Sequence, residues 1–572
     1  MSQLRIALAQ VNPTVGALQA NADKIVERTR QAADSGAHVV VFPEMVLTGY
    51  PVEDLALRAA FGHSSRAAVD ALAGRLADKG CGDVLAYVGY LDLDEAGPHN
   101  AVALLYGGQV VGRQFKHHLP NYGVFDERRN FTPGDTLAVV RLHGIDIGVV
   151  ICEDIWQDGG PVSALAEAGV DLIVCPNASP YERSKDESRV PIAAQRVREA
   201  GAPLVYCNQV GGQDDLAFDG DSFVLDADGE LIARAPQFVE HLLVLDLDLV
   251  TGRHAPAGTF AGLAVRRSVL TDLPLPRYDP LPTPPIAEAL SDEEEVWSAL
   301  VVGLRDYVRK NGFSSVIFGF SGGIDSAVTA ALAVDALGPE SVYGVAMPSK
   351  YSSDHSRSDA AELARRLGCH FRTEPIADMV QPYLTQLSLT GMAEENVQAR
   401  VRGVLLMALS NAEGHLVLAT GNKTEIAVGY STMYGDAVGA FAPIKDLFKT
   451  HVWALARWRN AQADKRGEVP PIPENSISKP PSAELRPGQL DTDSLPDYAL
   501  LDDVLDDYVE GDRGFADLMA AGFDPAVIDR VVRMVDVAEY KRRQYPPGTK
   551  ITFKAFGRDR RLPITDAWRE VH

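Results

Sequence analysis

The chain has 572 residues, of which 46% are hydrophobic and 23% charged, and its formal net charge at pH 7 is −24. Such a length exceeds what one hydrophobic core supports, so we expect about two to four domains. The strong negative charge argues against a general nucleic-acid or membrane-surface partner, because phosphate backbones and anionic lipids would be repelled.

The five cysteines are widely scattered and show no metal-ligand spacing, a usage typical of reduced thiols. The first eleven residues do not have the pattern of a signal peptide. No uncharged apolar run approaches the roughly 20 residues that a membrane helix needs. We therefore expect a cytoplasmic protein.

The N-terminal part of the chain alternates short strand patterns with amphipathic helix patterns. Helices are predicted at 21–35 and 162–168. Strands are predicted at 5–9, 38–42, 84–90, 101–106, 110–116, 145–152, 172–176 and 204–209. This alternation predicts a layered α/β domain over residues 1–265.

Three of these strands end in a side chain that can do chemistry. The motif FPE ends in Glu44, FKHHLP contains Lys116, and VVICED contains Cys152. Each has an ordinary alternative explanation: a surface carboxylate, a solvated lysine, and a cysteine buried as a small hydrophobe. Because a sheet brings strand ends together, the three residues in combination indicate a reactive site.

Together the three motifs resemble the Glu-Lys-Cys triad of the nitrilase superfamily, over nearly the whole N-terminal domain. The resemblance implies that Cys152 attacks an amide carbon, that Glu44 takes and returns the proton, and that Lys116 stabilises the negative intermediate. Glu127, in the motif FDER, is similar to a second glutamate of the superfamily, which implies that it orients Lys116.

Neighbouring residues resemble the glutamine-using branch of this superfamily. The corresponding residues are Tyr122, Ser179 in the turn NASP, and Lys185, which implies that they hold the amino acid. Ordinary loop chemistry remains the alternative for Tyr122 and Ser179, and the loop around Lys185 also offers Arg183 and Arg189.

A proline-rich segment at 266–290 predicts an extended linker to a second domain at 291–572. The capping box Ser291–Glu294 predicts the start of an amphipathic helix that ends at Gly312. Strands at 342–346, 370–373 and 415–420 alternate with helices at 356–367 and 394–411, which predicts a mostly parallel sheet. The long loop at 469–496 is either a functional lid or a disordered segment.

The motif SGGIDS, residues 321–326, lies between a buried strand pattern and a helix pattern that Gly338 ends. A helix N-terminus suits an anion, and Gly322 and Gly323 allow a phosphate to approach the backbone closely. The motif has no Gly-Lys-Ser/Thr ending, so it is not a Walker A loop. The alternative is a glycine-rich turn of any doubly wound sheet.

The full hexapeptide resembles the pyrophosphate-binding loop of the N-type ATP pyrophosphatases, which adenylate a carboxyl or carbonyl oxygen. The resemblance implies that Ser321 and Ser326 hold phosphate oxygens and that Asp325 holds Mg²⁺. With the nitrilase resemblance it implies the fold class: a four-layer α-β-β-α sandwich in the first domain and a doubly wound, mostly parallel Rossmann-like second domain.

Two further motifs, EENVQAR and TGNKTE, extend this resemblance to the NAD synthetases over almost all of the second domain. It implies that deamido-NAD is bound by Asn396, Arg400, Glu425 and Lys541, and that Mg²⁺ is held by Asp325 and Glu425. It implies ATP contacts from Gly319, Phe320, Ser321, Gly322, Gly323, Ile324, Asp325, Ser326, Thr420, Lys449 and Ser482. Met433 and Ala440 stand where shorter, ammonia-using synthetases have charged ligands, which leaves the contacts to the pyridine end open, and Asp436 is a candidate to compensate.

The fusion of the two domains resembles the glutamine-dependent NAD synthetases in particular. It implies that ammonia from glutamine is channelled to an adenylate of deamido-NAD, that AMP, pyrophosphate and glutamate are released, and that the chain forms a homo-oligomer. The alternatives are a different glutamine-fed adenylating ligase, an amidase with a regulatory nucleotide-binding domain, and a catalytically inactive scaffold.

Overall fold

The structure is a computed structural model that describes residues 2–252, 255–275 and 278–568. The predicted segments 1–265, 266–290 and 291–572 each include a few residues outside those described. The chain forms two compact units. The first comprises Met1–Gln213 and Phe218–Leu290, and the second comprises Asp214–Ala217 and Ser291–His572.

The first unit carries the strands and helices that the N-terminal patterns predict, with additional short strands. The helices are α1 (Leu18–Asp34), α2 (Ala59–Asp78), α3 (Glu127–Asn130), α4 (Gly160–Ala168) and α5 (Asp186–Ala200). The strands are β1 (Ser2–Gln10), β2 (Val39–Val41), β3 (Leu85–Asp94), β4 (Gly97–Tyr106), β5 (Gln109–Phe115), β6 (Thr136–Leu142), β7 (Ile145–Val149), β8 (Leu172–Asn177), β9 (Leu204–Asn208), β10 (Val210–Gln213), β11 (Leu216–Asp219), β12 (Phe223–Leu225), β13 (Leu231–Arg234), β14 (His241–Leu249), β15 (Gly258–Phe260) and β16 (Leu263–Thr271).

Two large sheets form the centre of this unit. One has the strand order β14-β1-β2-β3-β4-β5 and the other β13-β12-β9-β8-β7-β6-β16-β15. Successive side chains of a strand point to opposite faces of its sheet, so β1 contributes residues to a core on each face. Leu4, Ile6 and Leu8 pack in a core that also contains residues of the second sheet, and Ala7 and Ala9 pack against α1 and α2. Helices α4 and α5 cover the outer face of the second sheet, so the α-β-β-α sandwich is confirmed.

Strand β16 continues to Thr271 and pairs in parallel with β6. The first six residues of the predicted linker are therefore part of a sheet. The proline-rich part of the sequence starts only at Pro274, so nothing in the sequence prevents pairing before that point.

The second unit alternates strands and helices in its first half and is helical afterwards. Its strands are β17 (Val316–Gly319), β18 (Val342–Ala346), β19 (His370–Thr373) and β20 (Leu416–Val417). Its helices are α6 (Asp292–Lys310), α7 (Ile324–Leu337), α8 (Asp354–Leu367), α9 (Ala377–Leu387), α10 (Met392–Glu413), α11 (Lys423–Val428), α12 (Lys449–Lys465), α13 (Glu474–Ser478), α14 (Tyr498–Leu505), α15 (Phe515–Ala520), α16 (Pro525–Val537) and α17 (Glu539–Arg542).

The four strands are all parallel and have the order β19-β18-β17-β20. Helices α9 and α10 pack on one face of this sheet through a shared apolar cluster. The predicted parallel sheet is thus confirmed, as is the helix start at Ser291, whose side chain accepts a hydrogen bond from the backbone N–H of Glu294.

None of the helices in the described part of the chain is both long enough and apolar enough to cross a membrane.

Candidate active sites

The first candidate site is built where three strands of the first unit end. Glu44 follows β2, Lys116 directly follows β5, and Cys152 follows β7, so both sheets contribute to the site. All three side chains are buried. Lys116 Nζ lies 2.7 Å from Glu44 Oε1. The structure therefore places the predicted triad in the same unit, with its lysine and glutamate in direct contact.

Glu127 lies on the other side of the same ammonium group. Lys116 Nζ donates to Glu127 Oε1 over 3.0 Å, and the hydroxyl of Tyr50 donates to the same oxygen over 2.9 Å. Burial and the nearby Glu44 raise the pKa of Glu127 to about 7, although Lys116 opposes this shift. Burial alone would lower the pKa of Lys116, but Glu127 and Glu44 raise it well above its usual value. The lysine is thus held as a cation between two carboxylates.

Glu44 is fixed by two neutral donors besides the lysine. Asn100 Nδ2 lies 2.6 Å from Glu44 Oε1, and the backbone N–H of Ala178 lies 2.8 Å from Glu44 Oε2. A buried carboxylate needs such partners, because an unpaired one would lose its hydration without compensation. The contacts leave Glu44 with a defined orientation.

Cys152 lies at a strained point of the backbone, with a φ of +47°. Few residues other than glycine adopt this left-handed conformation, and it is often found at functional sites. Burial and Glu44 raise the pKa of the Cys152 thiol well above its usual value, and Lys116 only partly offsets this. The resting thiol is therefore protonated, and it requires a base before it can act as a nucleophile.

The segments that carry Lys116 and Cys152 are joined by a single buried carboxylate. Asp154 accepts hydrogen bonds from the backbone N–H groups of His117 and His118, over 3.2 and 2.8 Å, and from that of Ile151 over 2.9 Å. Apart from the position of Asp154 in the motif VVICED, no sequence pattern indicated this connection. These hydrogen bonds hold the segments after β5 and β7 in a fixed relative position.

The three predicted glutamine-binding residues lie in loops. Tyr122 lies after β5, Ser179 lies after β8, and Lys185 lies in the turn before α5. The Tyr122 hydroxyl donates to Glu153 Oε2 over 2.9 Å, and the Ser179 N–H donates to Asn208 Oδ1 over 2.9 Å. Lys185 Nζ donates to the carbonyl of Pro180 over 3.3 Å. Glu153 was not singled out from the sequence, although it directly follows the candidate nucleophile.

Lys185 has an unusual environment for a lysine. Its ammonium group lies 5.9 Å from the ring centre of Phe125 and 5.8 Å from that of Trp156. Burial and the nearby Arg189 lower its pKa. A cation held between aromatic faces and a carbonyl is well suited to receive an anionic ligand group.

The second candidate site is the SGGIDS turn between β17 and α7. Gly323 is the N-cap of α7, and Gly322 has a φ of +77°. A Cβ atom on Gly322 would lie 2.4 Å from the carbonyl oxygen of Ser356, so only glycine fits there. The hydroxyls of Ser321 and Ser326 lie 3.0 Å apart. These features produce the predicted open helix N-terminus.

A cavity of about 330 Å³ opens over this turn. Four of the predicted site residues do not line this cavity: Gly322, Asn396, Arg400 and Lys541. Those that line it are Gly319, Phe320, Ser321, Gly323, Ile324, Asp325, Ser326, Thr420, Glu425, Lys449 and Ser482. Its wall also includes Pro480–Leu485 of the long loop, so this loop is part of the site.

Lys449 links two of the acidic residues that line the cavity. Its ammonium group lies 2.5 Å from Asp325 Oδ2 and 3.1 Å from Glu425 Oε1. Asn422 Nδ2 donates to Asp325 Oδ1 over 2.8 Å, while the Asn422 side chain also caps α11 at the N–H of Glu425. Burial raises the pKa of Glu425 to about 8; Lys449 opposes the shift, and Asp325 adds to it. The site therefore brings two carboxyl groups together on one ammonium group.

Of the four residues predicted to bind deamido-NAD, Glu425 lines the larger cavity, and the other three are divided between two further places. Asn396 and Arg400 share one face of α10: Asn396 Oδ1 accepts from the Thr432 hydroxyl over 2.8 Å, and Arg400 Nε donates to the carbonyl of Met433 over 3.2 Å. Lys541 lines a smaller cavity of about 120 Å³ and donates to two backbone carbonyls.

Arg402, two residues beyond Arg400, lines the larger cavity and was missed from the sequence. Burial lowers its pKa to about 10. Asp436 also lines this cavity, and burial raises its pKa to about 6. The EENVQAR motif ends before Arg402, so only its spacing on the helix could have indicated this residue.

Comparisons with known proteins agree with this two-site organisation. Residues 5–257 match the carbon-nitrogen hydrolase family and residues 296–545 match the NAD synthase family. A glutamine-dependent NAD(+) synthetase from Rhodobacter capsulatus is 44% identical, over 99% of this chain and 99% of the relative.

Two solved structures cover nearly the whole chain. A glutamine-dependent NAD+ synthetase from Acinetobacter baumannii, in complex with ADP, is 40% identical over 99% of both chains, with a TM-score of 0.74. A glutamine-dependent NAD(+) synthetase from Cytophaga hutchinsonii, 22% identical, covers 99% of this chain and 98% of its own with a TM-score of 0.79, and supports the fold alone. The chain therefore belongs to the family of glutamine-dependent NAD(+) synthetases.

Proposed function

We propose that this protein amidates deamido-NAD to NAD at the expense of ATP, through an adenylate, with ammonia that it releases from glutamine. The observation that carries the proposal is the presence, in one chain of this family, of two complete constellations: Lys116 between Glu44 and Glu127 beside Cys152, and Lys449 between Asp325 and Glu425 at the SGGIDS cavity.

In the first site, Glu44 takes the thiol proton as Cys152 Sγ attacks the side-chain amide carbon of glutamine. The negative charge that develops on the amide oxygen faces the buried cation of Lys116, whose charge is undiminished because its pKa is raised. Glu44 then returns the proton to the leaving nitrogen, and ammonia departs from a thioester. Water, deprotonated by Glu44, hydrolyses the thioester to glutamate and free Cys152.

Glutamine recognition is assigned to residues that complement its two charged groups, the α-carboxylate and the α-ammonium. The α-carboxylate suits Ser179 and Lys185, whose ammonium group donates to the carbonyl of Pro180. The α-ammonium suits Glu153, which the hydroxyl of Tyr122 orients. Glu153 directly follows Cys152 in the chain. Tyr122, Ser179 and Lys185 lie in loops after other strands of the same unit.

In the second site, the nicotinate carboxylate of deamido-NAD attacks the α-phosphorus of ATP and pyrophosphate leaves. Ammonia then attacks the carbonyl carbon of the adenylate and AMP leaves. Deamido-NAD is assigned to Asn396, Arg400, Glu425 and Lys541. ATP is assigned to Gly319, Phe320, Ser321, Gly322, Gly323, Ile324, Asp325, Ser326, Thr420, Lys449 and Ser482.

Mg²⁺ fits the acidic pair in this cavity. Asp325 and Glu425 supply the hard oxygen ligands that Mg²⁺ prefers. Burial, with a smaller contribution from Asp325, raises the pKa of Glu425, and a bound cation would favour its ionised form. In the described ranges no group of three or more metal-binding side chains is formed. Phosphate and water oxygens would complete the shell, and the bound ion would neutralise charge on the departing pyrophosphate.

Ammonia must remain unprotonated between the two reactions, because ammonium is not a nucleophile. We therefore include in the proposal a protected transfer of ammonia from the first site to the second, and a homo-oligomer as the assembled form. The small-molecule substrates are glutamine, ATP and deamido-NAD.

The product balance tests the proposed reaction. Purified protein is supplied with glutamine, ATP, Mg²⁺ and deamido-NAD, and NAD, AMP, pyrophosphate and glutamate are quantified together. We expect NAD, AMP and pyrophosphate in equal amounts. Formation of ADP and inorganic phosphate instead would contradict adenylation, and glutamate release without NAD would contradict the assigned acceptor.

A further inference from the structure

Two residues of the synthetase site that contact each other come from the first turns of two different helices. Glu425 belongs to the first turn of α11, and Lys449 is the first residue of α12. The bridge from Lys449 Nζ to both Asp325 and Glu425 therefore requires that the N-termini of α11 and α12 keep a fixed relative position. Side chains that join these two N-termini would control the geometry of the site.

Two buried side chains make that connection. The Thr424 hydroxyl accepts a hydrogen bond from the backbone N–H of Lys449 over 2.8 Å and donates to Asp502 Oδ1 over 2.5 Å. The other oxygen of Asp502, Oδ2, accepts from the backbone N–H of Thr450 over 2.8 Å. Asp502 lies in α14, so three helices meet at this carboxylate. We refer to Thr424 and Asp502 as the clamp.

The clamp replaces an ordinary helix cap. The N-cap residue of α12 is Phe448, which has no side-chain acceptor for the free N–H groups of the first turn. Thr424 and Asp502 accept from the first two of these groups instead. A carboxylate at a helix N-terminus is also stabilised by the helix dipole. Because both side chains are buried, water cannot replace these hydrogen bonds if either is removed.

We propose that Thr424 and Asp502 are positioning residues for the synthetase reaction, which hold Lys449 and Glu425 at the distances that nucleotide and metal binding require. The inference rests on the proposed function. Neither residue touches the reacting atoms; each acts through the helix ends that carry Lys449 and Glu425. Displacing a catalytic group by about 1 Å is enough to lower a rate by roughly 100-fold.

A pair of variants at Thr424 separates positioning from packing. Thr424→Val keeps the shape of the side chain and removes the hydroxyl, whereas Thr424→Ser keeps the hydroxyl. Thr329→Val is the matched control, because Thr329 is buried in α7 and its hydroxyl has no hydrogen-bond partner among the described residues. Asp502→Asn is the second variant, since it keeps the volume while turning one acceptor of the clamp into a donor.

Two measurements are made on the full-length protein: calorimetric binding of the Mg²⁺ complex of α,β-methylene ATP, whose α–β bridge cannot be cleaved, and ammonium-driven NAD formation. We expect Thr424→Val and Asp502→Asn to weaken analogue binding and to lower kcat by about 10-fold or more. Thr424→Ser should restore most of both quantities, and Thr329→Val should leave both as in the wild type.

The inference is overturned if Thr424→Val and Asp502→Asn lower the melting temperature but bind the analogue and turn over like the wild type. In that case the clamp is only a helix cap. A failure of the proposed function would look different, because the wild type itself would then form no NAD from ammonium.

Discussion

Replacing Glu127 by glutamine tests whether this carboxylate keeps Lys116 in its catalytic state. The substitution keeps the size of the side chain and an oxygen that accepts from Tyr50 and Lys116, but removes one of two negative charges next to the ammonium. In the wild type we expect the ionised form of Glu127 to be the active one, because it holds the Lys116 cation in place.

The size of the effect follows from the pKa of Glu127, which is about 7. At pH 6 roughly one-tenth of this group is ionised, so kcat/KM for glutamine hydrolysis should be about 10-fold below its plateau. In Glu127→Gln this acid limb should disappear. The plateau should itself fall by about 5- to 30-fold, because a neutral hydrogen bond to Lys116 is weaker than a charged one by about 1–2 kcal/mol.

The stability of the wild type should fall as the pH rises, whereas its glutaminase activity should rise. The pKa of Glu127 is higher in the folded protein than its ordinary value of 4.5, so the folded state binds the proton more tightly. The wild type should therefore lose up to about 3 kcal/mol of stability as the pH rises from about 4.5 to 7, and the glutamine variant should lack this loss.

The assay is glutamate release from glutamine between pH 5.5 and 8.5, with thermal unfolding measured over the same range. Glu27→Gln, at an exposed position of α1, is the matched control and should behave as the wild type. A Glu127→Gln variant with an unchanged acid limb and an unchanged plateau would refute the role that we assign to this residue.

Three further substitutions test the other parts of the account. Lys185→Met should raise KM for glutamine by about 10-fold or more with little change in kcat, because a charge-assisted contact worth about 1.5–3 kcal/mol is lost; equal KM values in glutaminase kinetics would contradict it. Lys449→Met should abolish ammonium-driven pyrophosphate release and lower the melting temperature, because it leaves two partly buried carboxylates without their cation; normal release would contradict it. Gly322→Ala should abolish calorimetric binding of α,β-methylene ATP, whereas Gly368→Ala, which also has a positive φ but no atom near its Cβ, should bind normally; equal binding by both would contradict it.

Hydrophobic periodicity predicted most elements of the fold, because it directly reflects which face of a strand or helix is buried. The predicted strands at 342–346 and 370–373 have the same bounds in the structure. The strand predicted at 145–152 ends at Val149, and Cys152, which has a positive φ, begins a short 3-10 helix, Cys152–Ile155. The strand predicted at 415–420 is reduced to Leu416–Val417 at the sheet edge, where only two residues pair with β17.

The candidate sites were predictable where a motif carries its own local structure, as in SGGIDS and VVICED. The grouping of distant residues in one site followed from the family resemblance, whereas their individual contacts were not predictable, because local spacing contains no information about them. Lys449 meets Asp325 across 124 positions of the chain, and Asp502 meets Thr424 across 78. The roles assigned to the site residues, including those of Asn396, Arg400 and Lys541, stay predictions.

The most direct test of the account measures NAD formation from deamido-NAD, ATP and Mg²⁺, with either glutamine or ammonium as nitrogen donor, in the wild type and in Cys152→Ala. We expect the wild type to use both donors and the variant to use ammonium alone, since the thiol is needed only to release ammonia from glutamine. A variant that still uses glutamine would contradict the assignment of Cys152, and a wild type that forms no NAD from either donor would contradict the proposed reaction.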